Sequence, residues 1–157
     1  SGFQSAQFRE LEFLLGHKLP KMLDYHEQGS SARIQLEQRL SEPSLWGTFL
    51  YSLSKNNTEI PEETILKRDV TQADVASPEV QKQLIEVYKN FPQLAHLCEL
   101  LVNFDEGLQE WRYRHVKMVE RTIGTKRGTG DSDGVEYLKK TLFQLVFPDL
   151  WAIRSEL

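Results

Sequence analysis

Three places in this 157-residue sequence hold side chains whose type and spacing could do chemistry. The first is His115, in the run "WRYRHVKMVERTIG". Leu108, Trp111, His115, Val119 and Thr122 recur at steps of three or four, which puts the imidazole on an apolar helical stripe. Two readings of that imidazole stay open. It is a core histidine bonded to a carbonyl or carboxylate, because leaving it unpaired would cost about 1–3 kcal/mol. Or it is an axial ligand to a haem iron, which takes a neutral imidazole from a rigid helix. The sequence has no CxxCH, so such a haem would be held without covalent bonds. Zinc is disfavoured, because no second His or Cys stands four residues from His115.

The second place is the loop "GTKRGTGDSDG" that follows. It lacks the GK[ST] ending of a phosphate-binding P-loop, follows no strand, and has too few ligands for an EF-hand. Gly124, Gly128, Gly130 and Gly134 can adopt positive φ and turn backbone N–H groups toward an anion, with the Thr129 hydroxyl among them. The loop is thus either a plain connection between helices or a mobile lid. The third place is Arg9. It shares a helix face with Glu12, Phe13 and Gly16, off the stripe of Phe8, Leu11 and Leu15. Such an arginine is either a solvated or paired surface group or a bidentate clamp on a ligand carboxylate. His17, His26 and His96 have no partners at metal spacing and read as structural or surface residues. Arg112, Arg114, Lys117 and Arg121 fall on the other faces of the His115 helix, toward acidic neighbours, water or the propionates of a cofactor.

The elements that must position these groups are helices. Ser1 and Gly16 bracket a first helix, and Ser30 and Ser31 cap a short one through Leu40. Pro43 suits a first helical position before the stripe Leu45, Trp46, Phe49, Leu50 and Leu53. The polar stretch from Ser54 to Ser77 reads as a long connection with a turn of helix near Glu62 to Lys67. Ser77-Pro78 starts a helix with Val80, Leu84, Val87 and Tyr88 inward. The longest helix runs from Pro92 to Ile123, interrupted at Gly107 and stopped by Gly124, with Leu97, Leu100, Leu101 and Phe104 continuing the His115 stripe. "VEYLKKTLFQ" and "FPDLW" give two more helices. No alternating strand is found, so the fold class is all-α, a helix bundle.

Composition narrows the class. The length suits one domain with a real core. Nineteen Lys and Arg against 23 Asp and Glu give a net charge of −4, which speaks against a general nucleic-acid surface. The lone Cys98 excludes an intrachain disulfide framework and points to a reducing compartment. No apolar run of membrane-spanning length and no signal peptide is present. The chain opens in helical pattern without a starting methionine, which points to residues upstream.

Together, "FQSAQFRELEFLLGHK", "WRYRHVKMVERTIGTKRGTG", "YLKKTLF" and "FPDLW" resemble the tryptophan 2,3-dioxygenases, over both ends of the chain and the spacing between them. The resemblance implies an all-helical, homotetrameric, cytoplasmic haem b enzyme. That enzyme inserts both atoms of O2 across the indole C2–C3 bond of L-tryptophan to give N-formyl-L-kynurenine, the first step of tryptophan catabolism by the kynurenine pathway. It implies that His115 is the proximal ligand of the haem iron, that Arg9 clamps the substrate carboxylate, and that Thr129 contacts the substrate's ammonium and carboxylate. The family pattern G-T-G-G-S-x-G reads here Gly128-Thr129-Gly130-Asp131-Ser132-Asp133-Gly134, with Asp131 in place of a glycine. Asp tolerates left-handed backbone better than most residues, so the turn is compatible, although its carboxylate stands near that of the substrate. The family's distal histidine comes from a segment before position 1, so no catalytic residue is assigned within the chain. Residues 1–157 read as a single helical haem- and substrate-binding domain of a longer chain, with no membrane or nucleic-acid partner. Two alternatives remain: a related haem enzyme acting on another indole, and a catalytically incomplete helical oligomerisation fragment.

Overall fold

The computed structural model describes residues 6–55, 69–124 and 135–157, except for the side chains at positions 6–9 and 137. The expected cap at Ser1 and the turn of helix near Glu62 to Lys67 lie outside the described residues. The described residues are helical with no strand, in agreement with the all-α expectation. Helix α1 spans Ala6–Leu14, and a 3-10 segment spans Pro20–Tyr25. Helix α2 spans Ser31–Ser41, α3 Leu45–Lys55 and α4 Pro78–Asn90. The long α5 covers Pro92–Ile123, followed by two short helices, α6 at Val135–Lys139 and α7 at Pro148–Ala152. A 3-10 turn over Ile153–Glu156 closes the chain.

The helix ends follow local chemistry, with some surprises. Gly16 ends the first helical segment at φ +87°, and a Cβ there would collide with the Asp74 carboxylate and crowd Ser44, so only glycine fits. Ser30 caps α2, its Oγ accepting from Arg33 N–H at 3.3 Å. The far end of α2 is capped by the buried Lys18, whose Nζ donates to the carbonyls of Glu42 (2.7 Å) and Arg39 (3.2 Å). Pro43 is not the first residue of α3. Ser44 takes the cap, its Oγ accepting from Gly47 N–H at 2.9 Å, and the helix begins at Leu45. Ser77 precedes α4 without a side-chain cap, and its hydroxyl donates to Glu79 instead. Gly107 does not interrupt α5, because it lies on an open face where nothing approaches within 4 Å. Gly124 ends α5 as expected, at φ +60°. Helix α6 stops at Lys139, short of the ten residues the pattern suggested.

The core joins Leu15, the α3 residues Trp46, Phe49, Leu50 and Leu53, the α4 residues Val80, Leu84 and Val87, and the C-terminal Val146, Phe147, Leu150 and Ile153 to one face of α5. Each fully buried large apolar side chain contributes roughly 1.5–3 kcal/mol. Trp46 packs its ring 5.3 Å from Phe49 and 5.5 Å from Phe147, tying α3 to the C-terminal segment.

One buried carboxylate orders this assembly. Asp105 is fully buried, and its Oδ2 accepts from Val146 N–H (2.9 Å), Phe147 N–H (3.1 Å) and Trp151 Nε1–H (2.9 Å). Two of those donors precede α7, where helix geometry leaves N–H groups without intrahelical partners. A second buried carboxylate, Asp149, accepts from Ser77 N–H and Gln81 at the start of α4. Asp105→Ala strands two buried backbone donors and the half-buried Trp151 indole N–H at once. Urea denaturation is expected to show a loss of about 3 kcal/mol or more. A loss below about 1 kcal/mol would show that the segment is held by apolar packing alone.

Candidate functional site

The long helix has two unlike faces. Cys98, Leu101, Val102, Asp105, Leu108, Arg112, Val116 and Val119 are buried. Leu97, Leu100, Phe104, Trp111 and Met118 are exposed, although all are apolar. The stripe read from the sequence mixed the two sets, because both are linked by steps of three and four. His115 lies at the boundary rather than deep in the core: it is half-buried. Its ring stacks on Trp111 at a centroid distance of 5.1 Å and an interplanar angle of 6°. Burial holds the imidazole below its ordinary pKa, so it is neutral at neutral pH.

Behind His115, Val116 and Val119 pack with Val135, flanked by Ile123, Leu138 and Leu142. Lys139 of α6 reaches Glu120 of α5 at 3.2 Å, and Glu120 also pairs with Lys117 at 2.8 Å. The last turns of α5 are therefore braced from the side away from the exposed strip. Thr129 and Asp131, within residues 125–134, lie outside the described residues. Position 9 lies on α1, while the Arg9 side chain lies outside them.

Two residues have surroundings that the sequence did not specify. Arg112 is buried rather than turned to water, at 6% exposed, with acidic Asp105 and Glu12 acting on its charge and its Nη1 donating to the Gln144 carbonyl at 2.6 Å. Arg114 and Lys117 are surface groups paired with Glu110 (2.5 Å) and Glu120 (2.8 Å). His17, read as structural or surface, is half-buried near Arg112 and Asp105. Burial, then the Arg112 charge, lowers its pKa, and Asp105 opposes them. No local motif marks this grouping, since His17 and Asp105 are far apart in sequence.

Two clefts lie elsewhere, between α1 and α2. One of about 440 Å³ is lined by Phe13, Met22, His26 and Leu36, the other of about 340 Å³ by Leu11, Leu14, Lys18 and Pro43. They share Glu10, Phe13, Arg39 and Glu42, and Arg39 pairs with both Glu10 and Glu42. His115 lines neither.

The donor set at His115 suits a haem. Among the described residues no group of three or more His, Cys, Asp or Glu side chains stands together to hold a metal ion. A single neutral imidazole beside uncovered apolar side chains is what haem iron requires on one side, since the porphyrin supplies the other nitrogens.

Among the described residues, fold and face define a class: helical with no strand, the long α5 presenting a half-buried imidazole at the edge of an exposed apolar strip. The family model for tryptophan 2,3-dioxygenase matches residues 80–157. A tryptophan 2,3-dioxygenase of Herpetosiphon aurantiacus is 57% identical over 157 residues, all of this chain and 59% of the relative. Those of Anaeromyxobacter sp. (strain K) and Caulobacter vibrioides are 45% and 43% identical, again over all of this chain and 58% and 60% of the relatives. Over its whole length the chain is similar to these tryptophan 2,3-dioxygenases. It spans somewhat under two thirds of the length of the relatives it matches.

The His115 environment can be tested without cofactor. In the haem-free protein, NMR titration should place the His115 midpoint below the ordinary 6.5, because burial penalises the cation. Removing the covering ring in Trp111→Ala should raise it toward that value. The depressed midpoint stabilises the fold fully above pH 6.5 and less as pH falls through that range. A wild-type midpoint at or above 6.5, or no rise in Trp111→Ala, would contradict the geometry.

Proposed function

We propose that this chain is the haem- and substrate-binding body of a tryptophan 2,3-dioxygenase, with residues 1–157 forming a single helical domain. The observation that carries the reading is identity to a named tryptophan 2,3-dioxygenase, 57% over the whole of this chain. The stacked, neutral His115 beside an uncovered apolar strip supports it.

In this reading His115 would hold the iron of haem b, and the apolar side chains of Trp111 and Met118 suit a porphyrin neighbour. When bound, the haem supplies the activation of O2, which inserts both oxygen atoms across the indole C2–C3 bond of L-tryptophan to give N-formyl-L-kynurenine. This chain's residues bind and orient. Burial keeps the His115 imidazole neutral, the form in which its nitrogen can donate to a metal, and its ring lies stacked on Trp111. Arg9, on α1, would hold the substrate carboxylate with its planar fork. Thr129 would hold the ammonium and carboxylate from the far end of α5, about 13 Å along the helix axis from His115 to Gly124 before the loop begins. Fixing the amino-acid end in this way orients the indole ring, and such positioning is worth roughly 7–11 kcal/mol in favourable cases. Asp131 adds one negative charge to the sequence of that loop where the family pattern has a glycine. No described helix is long and apolar enough to cross a membrane. A cytoplasmic homotetramer acting in the kynurenine pathway completes the proposal.

The test uses the full-length, haem-loaded protein with L-tryptophan and O2. N-formylkynurenine, followed by its near-ultraviolet absorbance, is the expected product; a different indole product or no turnover would reject the assignment. Arg9→Leu should raise the tryptophan KM by about 10–100-fold, the worth of a charge-assisted hydrogen bond of roughly 1.5–3 kcal/mol. An unchanged KM would remove the clamp.

A further inference from the structure

The stack between Trp111 and His115 does something that burial alone does not: it gives a ring a direction. Side chains on a helix lean back over the residues three and four before them. For His115 those are Arg112 and Trp111. Arg112 turns into the core, at 6% exposed, and its Nη1 is tied to the Gln144 carbonyl at 2.6 Å. The place against the imidazole falls to Trp111, whose ring centroid lies 5.1 Å from that of His115 with the two planes 6° apart. Carbon atoms in contact stand about 3.5–4.0 Å apart, so rings at this centroid distance are parallel and offset. Aromatic pairs favour that arrangement.

The first torsion of a histidine side chain has three sharp wells, but the second, which spins the ring, is broad and roughly two-fold. The lone pair of an imidazole nitrogen lies in the ring plane, so this soft torsion decides where the lone pair points. Metal-ligating histidines almost always have it set by a hydrogen bond from the other ring nitrogen. A stack sets it through the ring face and engages neither nitrogen. Once the plane is held parallel to the indole, only a half-turn that exchanges the two edges keeps the contact. Trp111 is itself 44% exposed, so replacing it empties no core.

We propose that Trp111 is a positioning residue, which holds the plane of the His115 ring and so the direction in which its nitrogen meets the haem iron. It acts through His115. The proposal rests on the functional reading above for its consequence, but the position of the ring itself is measured without haem.

Two variants of the full-length protein separate a flat face from apolar bulk: Trp111→Leu keeps bulk without a face, and Trp111→Phe keeps a face. Phe104→Leu, on the same exposed strip seven residues earlier, is the control. Protons of a ring that lies over an indole are shifted upfield. In haem-free protein with isotope-labelled histidine, NMR should therefore show upfield-shifted His115 ring signals in wild type and in Phe104→Leu. The shift should be smaller in Trp111→Phe and lost in Trp111→Leu. In the haem-loaded ferrous protein, resonance Raman spectra should show one narrow iron–histidine stretching band in wild type, Trp111→Phe and Phe104→Leu, and a displaced or broadened band in Trp111→Leu. His115 signals without an upfield shift in wild type would overturn the positioning role. So would an iron–histidine band in Trp111→Leu with the wild-type position and width, or the same band change in Phe104→Leu, which would trace the effect to the strip as a whole. An upfield-shifted His115 in wild-type protein whose haem shows no iron–histidine band would instead reject the functional reading and leave Trp111 holding a ring that binds no metal.

Discussion

The structure depends on how one carboxylate is buried. Asp105 leaves water entirely, and a buried carboxylate is tolerable only if hydrogen bonds replace its hydration. Val146 N–H, Phe147 N–H and Trp151 Nε1–H supply them from a single stretch of six residues. The C-terminal segment is therefore seated on α5 at one place. Phe147 then meets Trp46, and Asp149 reaches the start of α4. Further along the same segment, Arg154 donates to Glu99, which also accepts from Tyr88, tying the chain end to both α4 and α5. Hydrophobic area supplies most of the stabilisation, but it has no direction; the carboxylate decides which register the segment takes.

Fixing Asp105 inward also fixes what faces outward. A helix turns about 100° per residue, so relative to Asp105 the residues Leu97, Phe104 and His115 lie about 80–100° to one side. Trp111, Leu100 and Met118 lie about 120–140° to the same side. The half-burial of His115 follows from this angle: it sits where the inner face ends. An imidazole further in would be walled off by the core, and one further out would keep its water and its ordinary pKa. At the edge it is desolvated by Trp111 on one side yet open toward the apolar strip. The bracing of α6 through Val135 and Lys139 lies behind it, leaving that strip uncovered by the described residues.

Much of this was legible in the sequence, for identifiable reasons. Helix existence follows from periodicity, so α3, α4 and α5 were expected within a residue or two at most ends. Ser30, Gly16 and Gly124 acted as the stops and starts that their backbone chemistry suggests. His115 stood out because an imidazole on an apolar helix is rare and needs a reason. What the sequence hid was non-local. Asp105 bonds residues 41 to 46 positions away, and Lys18 caps carbonyls 21 and 24 positions away. Nothing in their neighbours announces this. The two-sided apolar pattern of α5 hid which side was core, since a wide stripe fits either. Gly107 misled because glycine is costly in a helix but tolerated on an open face. The roles proposed for Arg9 and Thr129 rest on family resemblance, because neither the composition nor the spacing around them selects a ligand.

The central claim is that the edge of α5's inner face holds haem iron through His115. Replacing that residue by glycine in the full-length protein leaves a gap that free imidazole can enter, so ligation can be removed and returned separately from folding. The expected result is that His115→Gly, reconstituted with haem, loses the histidine-ligated ferrous and ferric absorption spectra, and that added imidazole restores both. A His115→Gly protein whose haem spectra match wild type without imidazole would contradict the claim.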